Sequence, residues 1–247
     1  MIKYSLIVAL TFLITSCKVI QPINSSTYKK EDNKWSTNGL LAHYSFDGNA
    51  RDISGNNNNG EVIGATLTNS RNAKENSAYY FDRIDDYIYI KDAENLRLKG
   101  EFTISVWFKT DYSLPFAGII CKADPFEPRR GYLIDIDGNN RIRTDICFDH
   151  SKSKCGTIVS NNQLTDNKWH HIIASYNGRS YYLFIDGKLE NKLKYEIGLQ
   201  TNTEPLLIGW DMNTWLSHRH FKGSIDDIRI YNRFLSKKER LKLYMEK

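Results

Sequence analysis

The sequence has 247 residues, of which 40% are hydrophobic and 26% charged, and its formal net charge is +5. This is the composition of an ordinary soluble globular protein. The small positive excess is spread along the chain, which excludes the concentrated basic surface typical of nucleic-acid binding. Aromatic residues are numerous, with 15 Tyr, 11 Phe and 5 Trp, and these residue types favour β-strands.

The N-terminus has the pattern of a cleaved export signal. Lys3 supplies a positive charge, and Ser5–Ile14 is an uncharged, mostly apolar run. A membrane-spanning helix needs about 20 apolar residues, so this shorter run fits a secretory signal instead. The ending Leu13-Ile14-Thr15-Ser16-Cys17 resembles a bacterial lipobox, which predicts removal of residues 1–16 and lipidation of Cys17. An ordinary signal peptide followed by a chance cysteine is the alternative.

The segment after Cys17 is predicted to be a flexible tether. Residues 17–38 contain the polar runs Asn24–Thr27 and Lys29–Lys34 and offer little apolar surface to bury. The remaining residues, 39–247, are predicted to form one domain, because single all-β domains commonly reach about 200–250 residues.

From Leu40 onward the sequence alternates between strand and turn patterns. Residues Phe102–Phe108 alternate apolar with polar residues in the period of two expected for a β-strand. Residues 169–193 hold three strand patterns separated by Asn177-Gly178 and Asp186-Gly187, the dipeptides of tight hairpins. This segment is therefore predicted to be an antiparallel meander.

Three cysteines lie in the predicted domain. Cys147 and Cys155 flank a polar segment that reads as a hairpin tip, and export would allow a disulfide between them. Closing so short a loop would contribute roughly 2–3 kcal/mol. Cys121 would then be a buried thiol, although its pairing with either of the other two is an open alternative.

Helical signals are confined to the C-terminus. Ser236 and Glu239 have the spacing of a capping box, and apolar residues follow at Leu241, Leu243 and Tyr244. Many strands with one short C-terminal helix indicate an all-β jelly-roll sandwich of two antiparallel sheets.

Four segments resemble the laminin-G-like, concanavalin A-like jelly-roll domains of bacterial surface proteins. They occur in the order found in that family and are Leu41–Asn56, Phe102–Phe108, Trp169–Gly187 and Gly223–Ser236. The resemblance implies two antiparallel sheets packed face to face, with the two ends of the domain close together.

The same resemblance implies one structural Ca²⁺ ion. Domains of this kind often hold a calcium near the paired ends, and the matching positions here are Asp47, Asn49 and Asp227. Carboxylate and carbonyl oxygens are the ligands that Ca²⁺ prefers. The alternative is that these Asp and Asn residues stabilise turns.

A loop rich in aromatic and polar residues is the candidate ligand site. Trp210, Trp215, His218 and Arg219 combine ring faces that stack on sugars with groups that hydrogen-bond to hydroxyls. Loops between strands are also where binding residues concentrate. The alternative is that Trp210 belongs to the core and Trp215 only caps the sandwich.

The sequence contains none of the motifs that would identify an enzyme. No Glu begins the Glu-x-Asp-x-x-Glu strand of the retaining glucanases that share this fold, and no nucleophile elbow or phosphate-binding glycine loop occurs. We therefore expect a non-catalytic binding module that recognises a glycan or a cell-envelope protein from a lipid anchor in the cell envelope, most plausibly the outer membrane. The alternatives are a structural lipoprotein that docks onto a partner protein and a divergent glycan-cleaving enzyme.

Overall fold

The computed structural model describes residues 34–112, 115–125, 130–147, 155–196, 201–212 and 219–246. All of these except Lys34 belong to one unit, Trp35–Lys247. The strands are β1 Leu40–Tyr44, β2 Gly60–Ile63, β3 Thr66–Thr68, β4 Ala78–Asp82, β5 Tyr87–Ile90, β6 Phe102–Lys109, β7 Ala117–Ala123, β8 Gly131–Ile136, β9 Arg141–Cys147, β10 Cys155–Gln163, β11 His170–Tyr176, β12 Ser180–Ile185, β13 Lys188–Lys194, β14 Leu206–Ile208 and β15 Lys222–Tyr231. The helices are α1 Lys34–Thr37 and α2 Lys237–Met245, with a 3-10 turn at Glu94–Leu96.

The described strands form two antiparallel sheets, as predicted. The eight-stranded sheet has the order β13-β12-β11-β6-β15-β4-β3, with β1 also paired to β15. The seven-stranded sheet has the order β10-β9-β8-β7-β14-β5-β2. Because β1 pairs with β15, the two ends of the domain lie side by side, as the family resemblance implied.

The hydrophobic core lies between the two sheets. From the eight-stranded sheet, Ile104, Val106 and Phe108 of β6 are fully buried, and from the seven-stranded sheet Ile134 and Ile146 face them in the same apolar cluster. Since side chains alternate along a strand, the residues between these apolar ones point to the outer faces. The outer faces therefore carry the polar and charged side chains considered below.

The predicted meander at 169–193 is confirmed. Strand β12 pairs with β11 on one side and with β13 on the other. Gly178 and Gly187 have φ angles of 82° and 75°, and Asp186 has 48°. Those positive angles are the reason for the Asn-Gly and Asp-Gly dipeptides at the two turns.

The C-terminal helix begins as the sequence predicts and covers the outer face of the eight-stranded sheet. The side chain of Ser236 accepts a hydrogen bond from the backbone N–H of Glu239, and the Glu239 carboxylate accepts one from the backbone N–H of Ser236. Leu243 of α2 packs against Ile173 and Tyr231 of the sheet. No helix within the described ranges is long and apolar enough to cross a bilayer.

A disulfide joins Cys147 to Cys155, which are directly opposite each other on β9 and β10. The predicted hairpin tip, residues 148–154, lies outside the described residues, as do the predicted lipidation site Cys17 and most of the predicted tether. Cys121 is a buried thiol on β7, also as predicted.

Candidate functional site

A pocket of about 240 Å³ opens on the outer face of the seven-stranded sheet. Its walls come from β7 to β10 and from Arg219, which precedes β15. The Cys147–Cys155 disulfide and Thr157 form one side, where β9 and β10 pair. A pocket smaller than those that take drug-sized ligands suits one sugar ring or a group of similar size.

Charged side chains from two neighbouring strands form the floor of the pocket. On β9, Arg143 and Asp145 alternate with core residues and so point outward. Arg143 donates to both oxygens of Asp135 on β8, with its Nε 2.9 Å from Oδ1, and the same Nε lies 3.6 Å from Oδ2 of Asp145. One guanidinium is thus shared by two carboxylates.

Burial dominates the electrostatics of Asp135. Its side chain is fully inaccessible to solvent, and this burial raises the pKa of Asp135 to about 7 even though the hydrogen bond and charge of Arg143 act to lower it. The same ion pair raises the pKa of Arg143 above its ordinary value despite its own burial. The floor of the pocket therefore holds a carboxyl group that titrates near neutral pH.

A second ion pair, between Arg219 and Asp211, closes another side of the pocket. Asp211 is fully buried and accepts a hydrogen bond from Arg219 Nη1. The segment that holds Asp211 lies directly on β7, where the backbone of Gly118 leaves room for it. A Cβ atom at Gly118 would lie 2.4 Å from the backbone nitrogen of Asp211. Gly118 therefore permits the close approach that positions this pair.

An aromatic ring links the two ion pairs. The guanidinium carbons of Arg143 and Arg219 each lie 4.9 Å from the centroid of the Phe116 ring. Cation–π contact on the ring holds both guanidiniums in place. The pocket cluster, defined as Asp135, Arg143, Asp145, Asp211 and Arg219, is thereby organised around one half-buried phenylalanine.

Two atoms of the pocket cluster retain unused hydrogen-bonding capacity. Oδ1 of Asp145 and Nε of Arg219 are buried and have no hydrogen-bond partner in the described structure. Buried polar atoms are nearly always paired in folded proteins, because leaving one unpaired costs about 1–3 kcal/mol. One unused acceptor and one unused donor therefore belong to residues that line the same pocket.

The four residues predicted to bind ligand are only partly described. Arg219 lines the pocket and is 92% buried, since its exposed fraction is 8%. Trp210 lies on the same outer face, stacked on His220 at 5.1 Å and packed against Tyr87 at 5.1 Å. Trp215 and His218 lie outside the described residues.

The predicted calcium ligands do not fit a calcium ion. Both oxygens of Asp227 are already engaged: His43 Nε2 lies 3.0 Å from Oδ1, and Arg71 Nη2 donates to Oδ2 at 2.9 Å. Arg229 Nε also donates to Oδ1, at 3.0 Å. Burial acts to raise the pKa of Asp227, but the hydrogen bond from His43 and the charges of Arg229 and Arg71 outweigh it and hold the pKa well below its ordinary value.

The other two predicted ligands are engaged in local contacts. Asp47 accepts a hydrogen bond from Lys74 Nζ at 2.7 Å, and Asn49 bonds within its own turn, to the backbone of Asp47 and Arg51. The calcium site formed by Asp47, Asn49 and Asp227 stays a prediction, against which stand the guanidiniums that already contact Asp227 and the turn chemistry that accounts for Asn49.

Asp226 and Asp227 lie where the pairing of β15 is irregular. Asp227 has a φ of 42° and lies in a β-bulge of β15, so two consecutive carboxylates, Asp226 and Asp227, both reach Arg71. In a regular strand they would point to opposite faces. Within the described residues, the carboxylates that come close enough to share a metal ion belong to Asp82, Asp85 and Asp86, in the turn after β4. Two of them already accept backbone hydrogen bonds in that turn.

Sequence reasoning missed most of the pocket cluster. Arg219 was predicted from the sequence, whereas Asp135, Arg143, Asp145 and Phe116 were not. The available signal was the alternation Arg141, Arg143, Asp145 between core positions of one strand. Three charged residues facing outward on a strand next to a buried aspartate mark a polar outer face.

Comparison with known proteins identifies the fold. The family model described as the concanavalin A-like lectin/glucanases superfamily matches residues 82–239. A search of curated proteins found no match to this sequence.

Three solved structures illustrate the similarity. The binding domain of Paraclostridial Mosquitocidal Protein 1 matches with a TM-score of 0.68 and 19% identity over 83% of this chain and 52% of that one. Domain 4 of AbnA, a GH43 extracellular arabinanase from Geobacillus stearothermophilus, in complex with arabinotriose, matches with a TM-score of 0.59 and 20% identity over 83% and 98%. The Botulinum neurotoxin serotype D ligand binding domain in complex with N-acetylneuraminic acid matches with a TM-score of 0.64 and 18% identity over 84% and 51%. The chain spans about half the length of the two toxin domains, and identities this low establish the fold alone.

Proposed function

The chain belongs to the concanavalin A-like lectin/glucanases superfamily, and we propose that it is a non-catalytic glycan-binding module whose site is the pocket on the outer face of the seven-stranded sheet. One observation carries the proposal: the residues that line the pocket include Asp145, whose Oδ1 is an unused hydrogen-bond acceptor, and Arg219, whose Nε is an unused donor. A sugar hydroxyl both donates and accepts hydrogen bonds, so a pair of hydroxyls satisfies the two atoms.

The physical chemistry of the pocket favours binding over catalysis. Glycan cleavage by a pair of carboxyl groups requires one to donate a proton and the other to attack or to activate water. Here Asp135 is fully buried behind Arg143 and Asp211 is fully buried against Arg219, so each is committed to an ion pair. The carboxylates instead hold the guanidiniums in fixed positions, as hydrogen-bonding sites require.

Two of the similar structures support a glycan as the ligand. One contains arabinotriose and the other contains N-acetylneuraminic acid. Both are sugars, although they differ in size and charge. The proposal extends only this common chemistry to the present chain.

Filling the pocket tests the proposal. Thr157 lines the pocket and is exposed, so Thr157→Trp places a bulky ring in it without removing any buried contact. Thr66→Trp is the matched control, because Thr66 is an exposed strand threonine of the opposite sheet. The purified full-length chain and both variants are applied to an array of neutral and acidic glycans, and affinities for the glycans bound are measured by calorimetry.

We expect Thr157→Trp to weaken glycan binding by at least about tenfold, which corresponds to 1.4 kcal/mol, and Thr66→Trp to bind as the unmodified chain does. Equal melting temperatures of the two variants would show that the loss is local. Unchanged binding by Thr157→Trp would place the site elsewhere. Failure of the unmodified chain to bind any glycan would overturn the proposal in favour of docking onto a partner protein.

We further propose that a lipid on Cys17 holds this domain at the outer membrane of the cell envelope. The lipobox-like ending at Cys17 supports this, and stable attachment needs two acyl chains or an equivalent second signal. The test is detergent-phase partitioning of the expressed chain against its Cys17→Ser variant. We expect the variant to leave the detergent phase, and partitioning unchanged by the substitution would rule out the anchor.

A further inference from the structure

The charges of the pocket point to the class of sugar that it accepts. We infer that the pocket selects neutral sugars and discriminates against sugars that carry a carboxylate. This inference rests on the proposed glycan-binding function and concerns the same site.

The pocket cluster contains more carboxylates than guanidiniums. Its three aspartates, Asp135, Asp145 and Asp211, face two arginines, so the formal charge with all groups ionised is 2 − 3 = −1. Protonation of Asp135 brings this sum to zero but does not make it positive. Among the described residues, the pocket cluster therefore provides no net attraction for an anion.

Each guanidinium is already neutralised by a carboxylate of the protein. Arg143 is bonded through two nitrogens to Asp135 and lies 3.6 Å from Asp145, and Arg219 is bonded to Asp211 through Nη1. A ligand carboxylate that accepted from Arg219 Nε would therefore add a further negative charge beside Asp211 and Asp145 without a cation of its own. Placing an unpaired charge in a buried polar site is costly, because the water that solvated it is not replaced.

A neutral sugar meets the unused groups without this penalty. Asp145 Oδ1 accepts a hydrogen bond from one hydroxyl, and Arg219 Nε donates to the oxygen of another. Both bonds involve a charged protein group, which makes them stronger than bonds between neutral groups. The same two residues thus attract hydroxyls and, through the excess of carboxylates, repel acids.

Pairs of sugars that differ only at C6 isolate this preference. The probes are methyl glucoside with methyl glucuronide and methyl galactoside with methyl galacturonide. Binding of each to the full-length chain is measured at pH 8 and low salt by ligand-observed NMR titration. We expect the neutral member of every pair that binds to have at least about tenfold higher affinity, and raised salt to reduce that ratio.

One variant assigns the discrimination to Asp145. Asp145→Asn keeps the shape of the side chain and removes one negative charge from the pocket. Asp166→Asn, in an exposed turn that does not line the pocket, makes the same change in net charge and is the matched control. We expect Asp145→Asn to reduce the neutral-to-acidic affinity ratio by roughly fivefold or more, and Asp166→Asn to leave it unchanged.

The outcomes separate this inference from the proposed function. If acidic sugars bind as tightly as their neutral partners, or more tightly, the selectivity is wrong while glycan binding stands. If the neutral preference exists but Asp145→Asn does not change it, the assignment to Asp145 is wrong. If no sugar of either class binds the full-length chain, the proposed function is overturned and this inference with it.

Discussion

The two sheets carry two buried charge clusters that differ in how their ion pairs are shared. On the eight-stranded sheet, Asp226, Asp227 and Glu246 are paired with Arg71, Arg229 and His43; we refer to these six residues as the Arg71 cluster. In the pocket cluster on the seven-stranded sheet, three aspartates share two arginines. One carboxylate, Asp227, is thus held by two guanidiniums and an imidazole in the first cluster, whereas in the second one guanidinium, Arg143, is shared by two carboxylates.

The clusters also differ in what they connect. The Arg71 cluster joins parts of the chain that are far apart in sequence: β1 through His43, the segment between β3 and β4 through Arg71, the bulge of β15, and the end of the chain through Glu246. Most of the pocket cluster lies on two adjacent strands. A cluster that ties distant segments together suits a stabilising role, whereas a cluster confined mostly to two adjacent strands at a pocket suits ligand binding.

Removing Arg71 is the strongest way to break this comparison. Arg71→Met would leave Asp226 and Asp227 buried without their shared guanidinium. Breaking a buried pair from one side costs about 3–5 kcal/mol, and urea unfolding of the full-length chain measures the loss. Lys74→Met is the control, because the Lys74–Asp47 pair is exposed and is expected to contribute less than about 1 kcal/mol. Equal losses in the two variants would show that the Arg71 cluster does not stabilise the fold.

Opening the disulfide beside the pocket is expected to have the next largest effect. The Cys147→Ser, Cys155→Ser double variant loses the constraint on a loop with a sequence separation of 8, which costs about 2–3 kcal/mol. Because both cysteines line the pocket, glycan affinity should fall as well. The unmodified chain treated with a reducing agent is the control and should behave like the variant. Insensitivity of its stability to reduction would mean that the bond contributes nothing.

The fold could be predicted from local sequence patterns, because its main features depend on residues close together in the chain. The turns at Asn177-Gly178 and Asp186-Gly187, the capping box at Ser236 and the short disulfide each need only a few neighbouring residues. Family resemblance added the pairing of the two sheets, which no local pattern contains.

The sites could not be predicted in the same way, because they depend on contacts between distant residues. Arg71 and Asp226 are separated by 155 positions, and nothing near either residue indicates the other. The calcium prediction shows the difficulty: Asp227 has the position expected of a ligand, and side chains from elsewhere in the chain contact both of its oxygens. Arg219 was identified because it lies in an unusual loop, whereas its neighbours Arg143 and Phe116 come from ordinary strand and turn sequences.

The pH dependence of stability should report on buried carboxylates of both clusters. Burial raises the pKa of Asp135 to about 7, whereas an exposed aspartate in the unfolded chain titrates near 3.9. Between these values the folded state keeps a proton that the unfolded state has released, so this contribution to stability is present at low pH and is lost as the pH rises towards 7. Burial also raises the pKa of Asp226, to about 6, although Arg71 opposes it, and its contribution has the same sign.

Asp135→Asn cannot ionise and isolates one of these contributions. We expect the fall in unfolding free energy between pH 5 and pH 7.5 to be smaller in Asp135→Asn than in the unmodified chain by about 1–2 kcal/mol. Asp227, whose pKa is lowered, should contribute in the opposite direction and only in strong acid. Identical pH profiles of the variant and the unmodified chain would mean that Asp135 does not titrate in this range.

Calcium should have the smallest effect on the stability of the chain. We expect no stabilisation by calcium, because the Arg71 cluster already provides partners for Asp227. A bound ion whose free concentration exceeds its dissociation constant a hundredfold would add about 2.7 kcal/mol of stability. That corresponds to a rise of several degrees in the melting temperature of a chain of this size. With Asp227 held by His43, Arg71 and Arg229, we expect the melting temperature in millimolar calcium and in EDTA to agree within about 1 °C. The same comparison in Arg71→Met supplies the contrast, because Asp226 and Asp227 then lack one of their cations and a divalent ion can compensate them. If calcium stabilises the unmodified chain, the side-chain cations do not take the place of the metal. If calcium stabilises only Arg71→Met, the guanidinium of Arg71 takes the place of a metal ion in the unmodified chain.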